Sequence, residues 1–165
     1  MRHIISIVLQ NEAGALARVA NLFSSRGYNI ESLNVAPTPD ATVSRLTLVT
    51  TGSEDVIDQI TKQLGKLIDV VDITDMTSTD HIERELALCK LQVDDARRDQ
   101  LDAMLEKLDI RELDDRGGYH TVEVVGGGPD IDRFLAQVTD VARVVSVVRS
   151  GAMAISRGAR KLGRV

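Results

Sequence analysis

Near the N-terminus of this 165-residue chain, six consecutive residues have types and spacing suited to binding a small anion: Asn11, Glu12, Ala13, Gly14, Ala15 and Leu16. They stand where an alternating apolar run gives way to a helical period. The first N–H groups of a helix have no partners within it and carry the positive end of its dipole, so they attract a carboxylate. Gly14 lets the backbone approach such a ligand closely, and the Asn11 amide can donate or accept beside it. The same residues also suit a plain turn, with Asn11 as a turn or cap residue and Gly14 relieving strain. Spacing alone leaves both readings open.

Other chemically suggestive residues lack the company they need. Gly126-Gly127-Gly128-Pro129-Asp130 has neither the Lys nor the Ser/Thr of a phosphate loop and puts a carboxylate at a helix start. His3, His81 and His120 have no metal-ligand spacing and read as surface or structural residues, so no metal is expected. Asp94-Asp95, Asp99 and Asp114-Asp115 have no nucleophile or second base placed beside them and read as solvated faces. Ser24, Ser25 and Ser44 have no identifiable His or Asp partner, which leaves a hydrolytic triad without support. No catalytic residue is expected. The single cysteine, Cys89, has no partner for a disulfide and sits in an apolar strand pattern, so it is expected in a core.

Composition narrows the partners. A net charge of −5 disfavours general nucleic-acid binding, and two Phe and two Tyr are too few for a base-stacking platform. No apolar run approaches the length of a membrane span. The segment Arg2 to Leu9 lacks the pattern of a secretory signal, so a cytoplasmic location is expected.

The elements that must position the 11–16 segment follow from periodicity. Ile4, Ile5, Ile7, Val8 and Leu9 predict a strand; Leu16, Val19, Ala20, Leu22 and Phe23 predict one helical face; and Gly27 supplies the stop. Strands are predicted at Asn29 to Ala36 and through Val43, Leu46, Leu48 and Val49. A helix follows through Val56, Ile57, Ile60 and Leu64, then a strand from Ile68 to Ile73. The order is βαββαβ, complete near Met76. It begins again with Leu86 to Val93 as a strand and Leu101, Met104, Leu105 and Leu108 along a helix. Strands at Ile110 to Leu113 and Tyr119 to Val125, a helix at Ile131 to Val138 and a strand at Val141 to Val148 complete the second copy. At a spacing of 74, Gly52 meets Gly126, Ile57 meets Ile131, Asp58 meets Asp132, Gln63 meets Gln137, and Val70 and Val71 meet Val144 and Val145. The fold class is therefore α+β: two ferredoxin-like domains, each an antiparallel four-stranded sheet with two helices on one face. The predicted layout is a first domain over 1–76, a linker over 77–83, a second domain over 84–150 and a basic tail over 151–165. The other face and an edge strand of each sheet are expected to be uncovered, which invites dimerisation.

The stretch N-E-x-G-A-L-x-R-V followed by F-S-S-R-G-Y-N-I-E-S-L-N-V-A-P-T resembles the ACT domain of acetolactate synthase regulatory subunits. The resemblance continues through S-R-L-T-L-V-T, K-Q-L-x-K-L-I-D-V-V, H-I-E-R-E-L and R-S-G-x-x-x-x-S-R-G, and so spans nearly the full chain. It implies a non-catalytic homodimer that binds the large catalytic subunit, activates it and confers feedback inhibition by valine in branched-chain amino acid biosynthesis. Thiamine diphosphate, Mg²⁺ and FAD would belong to that partner, with no cofactor in this chain. By matched position, the resemblance assigns the effector site to Asn11, Gly14, Ala15 and Leu16 of one protomer with Asn29 and Ile30 of its mate. The helix N-terminus would meet the ligand carboxylate. The Asn11 and Asn29 side chains or nearby carbonyls would hold the ammonium, and Leu16 with Ile30 would line the apolar part. The second copy has Val93-Asp94-Asp95-Ala96-Arg97-Arg98 at the corresponding junction, without a glycine, and no effector is expected there; dimerisation or contact with the catalytic subunit is its expected role. Two other classes remain at this point: a stand-alone ACT-type sensor acting on another enzyme or regulator, and a small ferredoxin-like enzyme, for which the first loop lacks an arginine.

Overall fold

The computed structural model describes residues 1–158. The chain forms two compact units, Met1–Glu83 with the segment from Ala152, and Arg84–Gly151. No helix of the described residues is long and apolar enough to cross a membrane.

In the first unit the elements run β1 (Arg2–Gln10), α1 (Ala15–Ser25), β2 (Ile30–Pro37), β3 (Val43–Thr51), α2 (Glu54–Leu64) and β4 (Val70–Asp75). The sheet order β2-β3-β1-β4, all antiparallel, is that of a ferredoxin-like domain. Strand alternation sends Ile5, Ile7 and Leu9 toward the helices, where they meet Leu46, Leu48, Val19, Phe23, Ile57, Ile60 and Leu64. Along α1 the buried stripe is Ala15, Val19 and Phe23, four residues apart. Leu16, expected on that face, lies one position off the stripe and is 39% exposed. Gly27, with φ 71, turns the chain out of α1: its N–H and that of Tyr28 reach back to the carbonyls of Ser24 and Phe23, at 3.1 and 3.0 Å.

Three expectations are corrected in this unit. The fourth strand begins at Val70 rather than Ile68, which is 86% exposed, because Asp69 between them turns inward to a charged partner. The expected linker over 77–83 is ordered: His81 already begins the long strand β5 (His81–Gln92), and Glu83 pairs with Arg2. The expected tail returns as strand β9 (Met153–Ser156), which pairs with β5. Ala152 and Ala154 bury against Ile4, Val49 and Met76 on the sheet face away from the helices, so that face is partly covered. Arg157 pairs with Asp80 at 3.2 Å, whereas Arg160, Lys161 and Arg164 lie outside the described residues.

In the second unit, β5 is followed by a 3-10 turn (Asp95–Arg97), α3 (Arg98–Lys107), β6 (Arg111–Arg116), β7 (Tyr119–Gly126), α4 (Gly128–Val138) and β8 (Arg143–Arg149). The order β6-β7-β5-β8 repeats the first topology. The repeat is legible at element level, since α2 at 54–64 and α4 at 128–138 lie 74 residues apart at both ends. The core joins Ala87, Cys89 and Leu91 with Val122, Val124, Leu101, Leu105, Ile131, Phe134 and Val138. Cys89 is fully buried there, and that burial pushes its thiol pKa up. His3 and His120, read as surface or structural residues, are both buried, because strand alternation turns them inward.

Candidate effector site

The segment between β1 and α1 is fastened on both sides. The Gln10 N–H donates to the Asp69 carbonyl at 2.8 Å, and the Asn11 N–H to the Thr42 carbonyl at 2.8 Å. Asn11 Nδ2 donates to the Ala41 carbonyl at 3.0 Å, so this side chain clasps the loop to the start of β3 and keeps its oxygen and one N–H for a ligand. Gly14 occupies the position before α1 with φ 89 and ψ −13, a left-handed conformation that side-chain-bearing residues rarely adopt. No side chain caps α1, and no acidic residue lies in its first turn. Helix α2 has Glu54 and Asp55 there instead, and in α4 Asp130 accepts from the Gly127 N–H at 3.0 Å.

Behind this end stands an ion pair that periodicity did not reveal. Arg18, one turn into α1, reaches back and fastens Asp69 through two nitrogens, Nε and Nη2. Asp69 is buried, and the guanidinium hydrogen bond holds its carboxyl below the usual carboxylate range; the same bond raises the Arg18 pKa. The third nitrogen, Nη1, lies against the loop: a Cβ built on Gly14 would sit 2.9 Å from it. Gly14 is thus favoured by backbone conformation, and any side chain there would have to displace the end of Arg18. The sequence signal was the R of the N-E-x-G-A-L-x-R-V stretch, four positions after the glycine; the position of Asp69 gave no signal.

The six expected site residues fall into two groups. Asn11, Gly14, Ala15 and Leu16 cluster at the C-terminal end of β1, with Ala15 buried and the other three exposed. Asn29 and Ile30 lie at the opposite end of the same sheet. Ile30 pairs with Thr50, and Thr50 pairs with His3, whereas Gln10 pairs with Val43. At about 3.3 Å per residue, the His3-to-Gln10 stretch of β1 separates the groups by roughly 23 Å. A single protomer does not bring them together. Thr50 Oγ1 anchors the Asn29 carbonyl at 2.6 Å, while Ile30 packs on the first core.

In the second unit the corresponding junction forms the 3-10 turn, with the Arg97 N–H donating to the Asp94 carbonyl at 2.8 Å and Asp95 in its first turn.

Comparison with known proteins decides the family. Residues 5–72 match the family described as AHAS small subunit-like ACT domain, and residues 84–158 match the family described as small subunit of acetolactate synthase. The acetolactate synthase isozyme 3 small subunit of Escherichia coli strain K12 is 47% identical over 158 residues, covering 96% of this chain and 97% of that one. The chain belongs to the acetolactate synthase small-subunit family. The family member from Mycobacterium leprae is 38% identical over 99% of this chain and 96% of its own length. A crystal structure of the small subunit from Thermotoga maritima superposes with a TM-score of 0.86 at 29% identity, covering 96% of this chain and 98% of that one. The family resemblance and the paired ferredoxin-like fold read from the sequence both stand.

Proposed function

We propose that this chain is the regulatory subunit of an acetolactate synthase: it binds and activates a large catalytic subunit and makes it sensitive to valine. The observation that carries the effector half is the N-terminus of α1, which has no side-chain cap behind a left-handed Gly14, no acid in its first turn and the Arg18 guanidinium alongside. A ligand carboxylate fits that field. The rest of the pocket comes from a second copy. β2 lies at the edge of the sheet, and Pro37 pairs with Ser44 at the end where the β1–α1 loop lies. Antiparallel pairing of two β2 edges sets residues 29–30 of one protomer against the 37 end of its mate, and so beside that mate's loop. Leu16, exposed on the first turn, then faces Ile30 of the other protomer. Burying a valine side chain between them contributes about 1.5 to 3 kcal/mol.

Valine acts by binding more tightly to a dimer conformation that supports the catalytic subunit less well, with a coupling of about 1 to 3 kcal/mol. The reaction, with its thiamine diphosphate, Mg²⁺ and FAD, is assigned to that partner.

The test is calorimetric titration of valine, leucine and isoleucine into the full chain, alone and with the catalytic subunit, while acetolactate formation is followed. Saturable valine binding together with loss of the activated turnover is expected. Gly14→Asp, which puts a carboxylate beside Arg18 where the ligand carboxylate belongs, should keep activation and lose inhibition. Unchanged valine inhibition in that variant refutes the site, and absence of activation refutes the subunit role.

A further inference from the structure

In the second unit, the β6–β7 hairpin gathers three potential ligands that the sequence holds apart: Glu112, Asp115 and His120, with one ligand atom from each all within 4.8 Å of one another. The gathering depends on parity. Residues three apart on a regular strand point to opposite faces, but the register shifts between Glu112 and Asp114. Glu112 therefore pairs with Val122 and Asp115 with His120, on one side of the ribbon. Gly117 and Gly118, at φ 61 and 76, close the two-residue turn that sets this register.

His120 is 1% exposed. Its Nδ1 lies 2.5 Å from Glu112 Oε1, and because an ionised carboxylate only accepts, Nδ1 carries the proton. In the neutral imidazole that makes Nε2 the acceptor, and it is buried without a hydrogen-bond partner. The group facing it is Asp115 Oδ1, another acceptor, at 3.8 Å. Asp115 Oδ2 is taken by Arg98 at the start of α3. A buried ring nitrogen without a hydrogen-bond partner, facing a carboxylate oxygen at the protein surface, is a place for a cation. The surrounding charge agrees: Asp102, Glu112 and Asp115 surround a single Arg98, an excess of two negative charges when the imidazole is neutral.

We propose that His120 Nε2 and Asp115 Oδ1 bind a divalent first-row transition ion, with Glu112 orienting the imidazole from behind. Metal–nitrogen and metal–oxygen bonds of about 2.0 to 2.2 Å reach from both atoms to a common point across 3.8 Å. An imidazole paired with a carboxylate selects Zn²⁺ or Mn²⁺ over Ca²⁺ and Mg²⁺. Glu112 completes the carboxylate–histidine–metal arrangement that fixes the ring's tautomer. Water fills the remaining positions from the side where Asp115 is exposed. The ion ties β6 to β7 and, through Asp115 and Arg98, to the first turn of α3.

The test uses the full chain stripped by a chelator, with Co²⁺ as the probe, read by its visible absorption and by calorimetry, and Zn²⁺ as the competitor. One Co²⁺ per chain, displaced by Zn²⁺, is expected, with a melting temperature that rises with ion concentration. Asp115→Asn, at the surface, should weaken binding more than about tenfold while leaving the fold intact, and Glu112→Gln about 10- to 100-fold. His120→Gln should abolish binding, and His3→Gln should leave it unchanged. Lack of saturable Co²⁺ binding, or binding that Asp115→Asn and His120→Gln leave untouched, overturns the proposal. So does a nitrogen-15 NMR signature of doubly protonated His120 at neutral pH that Co²⁺ does not displace, since a proton then fills the gap.

Discussion

At the scale of single residues, the β1–α1 loop rests on an ion pair rather than on a side-chain cap. Arg18 spends two nitrogens on Asp69, whose backbone carbonyl in turn holds the Gln10 N–H. Removing the Asp69 charge therefore loosens Arg18 and the strand end together. The pH dependence has a definite sign. Asp69 has its pKa lowered from 3.8 by the Arg18 hydrogen bond, so its contribution is fully present above that value and is lost as pH falls through the lower native one. Urea unfolding of the native chain and Asp69→Asn should show a stability gap that is constant above about pH 5 and narrows below about pH 4. A gap that persists unchanged to pH 2 would mean that the carboxylate charge contributes nothing.

At the scale of elements, the returning strand β9 changes what the first sheet is. A ferredoxin-like sheet with helices on one face leaves the other to water, yet β1 is buried on both faces from His3 to Leu9. Ala152 and Ala154 supply part of that cover over Ile4, Val49 and Met76. A chain ending at Gly151 uncovers this cluster and loses the buried Ala152 and Ala154 methyl groups, at about 0.8 kcal/mol for each buried carbon. Its thermal midpoint should fall by several degrees. An unchanged midpoint would show that β9 is passive.

For the whole molecule, the two halves of the effector site, at opposite ends of one sheet, make the proposed pocket a property of a dimer. The edge strand β2 is the proposed seam, and Val35 is exposed on it. A lysine on an edge strand opposes pairing at little cost to the strand itself. Val35→Lys should shift the chain from dimer to monomer in light scattering and abolish valine binding, with an unchanged far-ultraviolet spectrum. Valine binding by a demonstrated monomer would place the whole site within one protomer.

Much of this was legible in the sequence because periodicity is a local property. Alternation and helical spacing gave the βαββαβ order twice, and the 74-residue repeat carried through to matching helix ends at 54–64 and 128–138. The glycine at the β1–α1 junction could also be read, since a glycine between a strand period and a helix period is a local signal, although only the structure shows it at positive φ. Tertiary structure decided everything that depends on register or on the chain's return. Arg18 and Asp69 are 51 positions apart, and their meeting follows from β4 lying beside β1. The basic segment becomes a strand because β5 offers it an edge to pair with. His120 meets Glu112 and Asp115 only because one bulge reverses the parity of β6. A single-residue shift flips every side chain beyond it to the other face, and no pattern in residue types records that shift before the strands are paired.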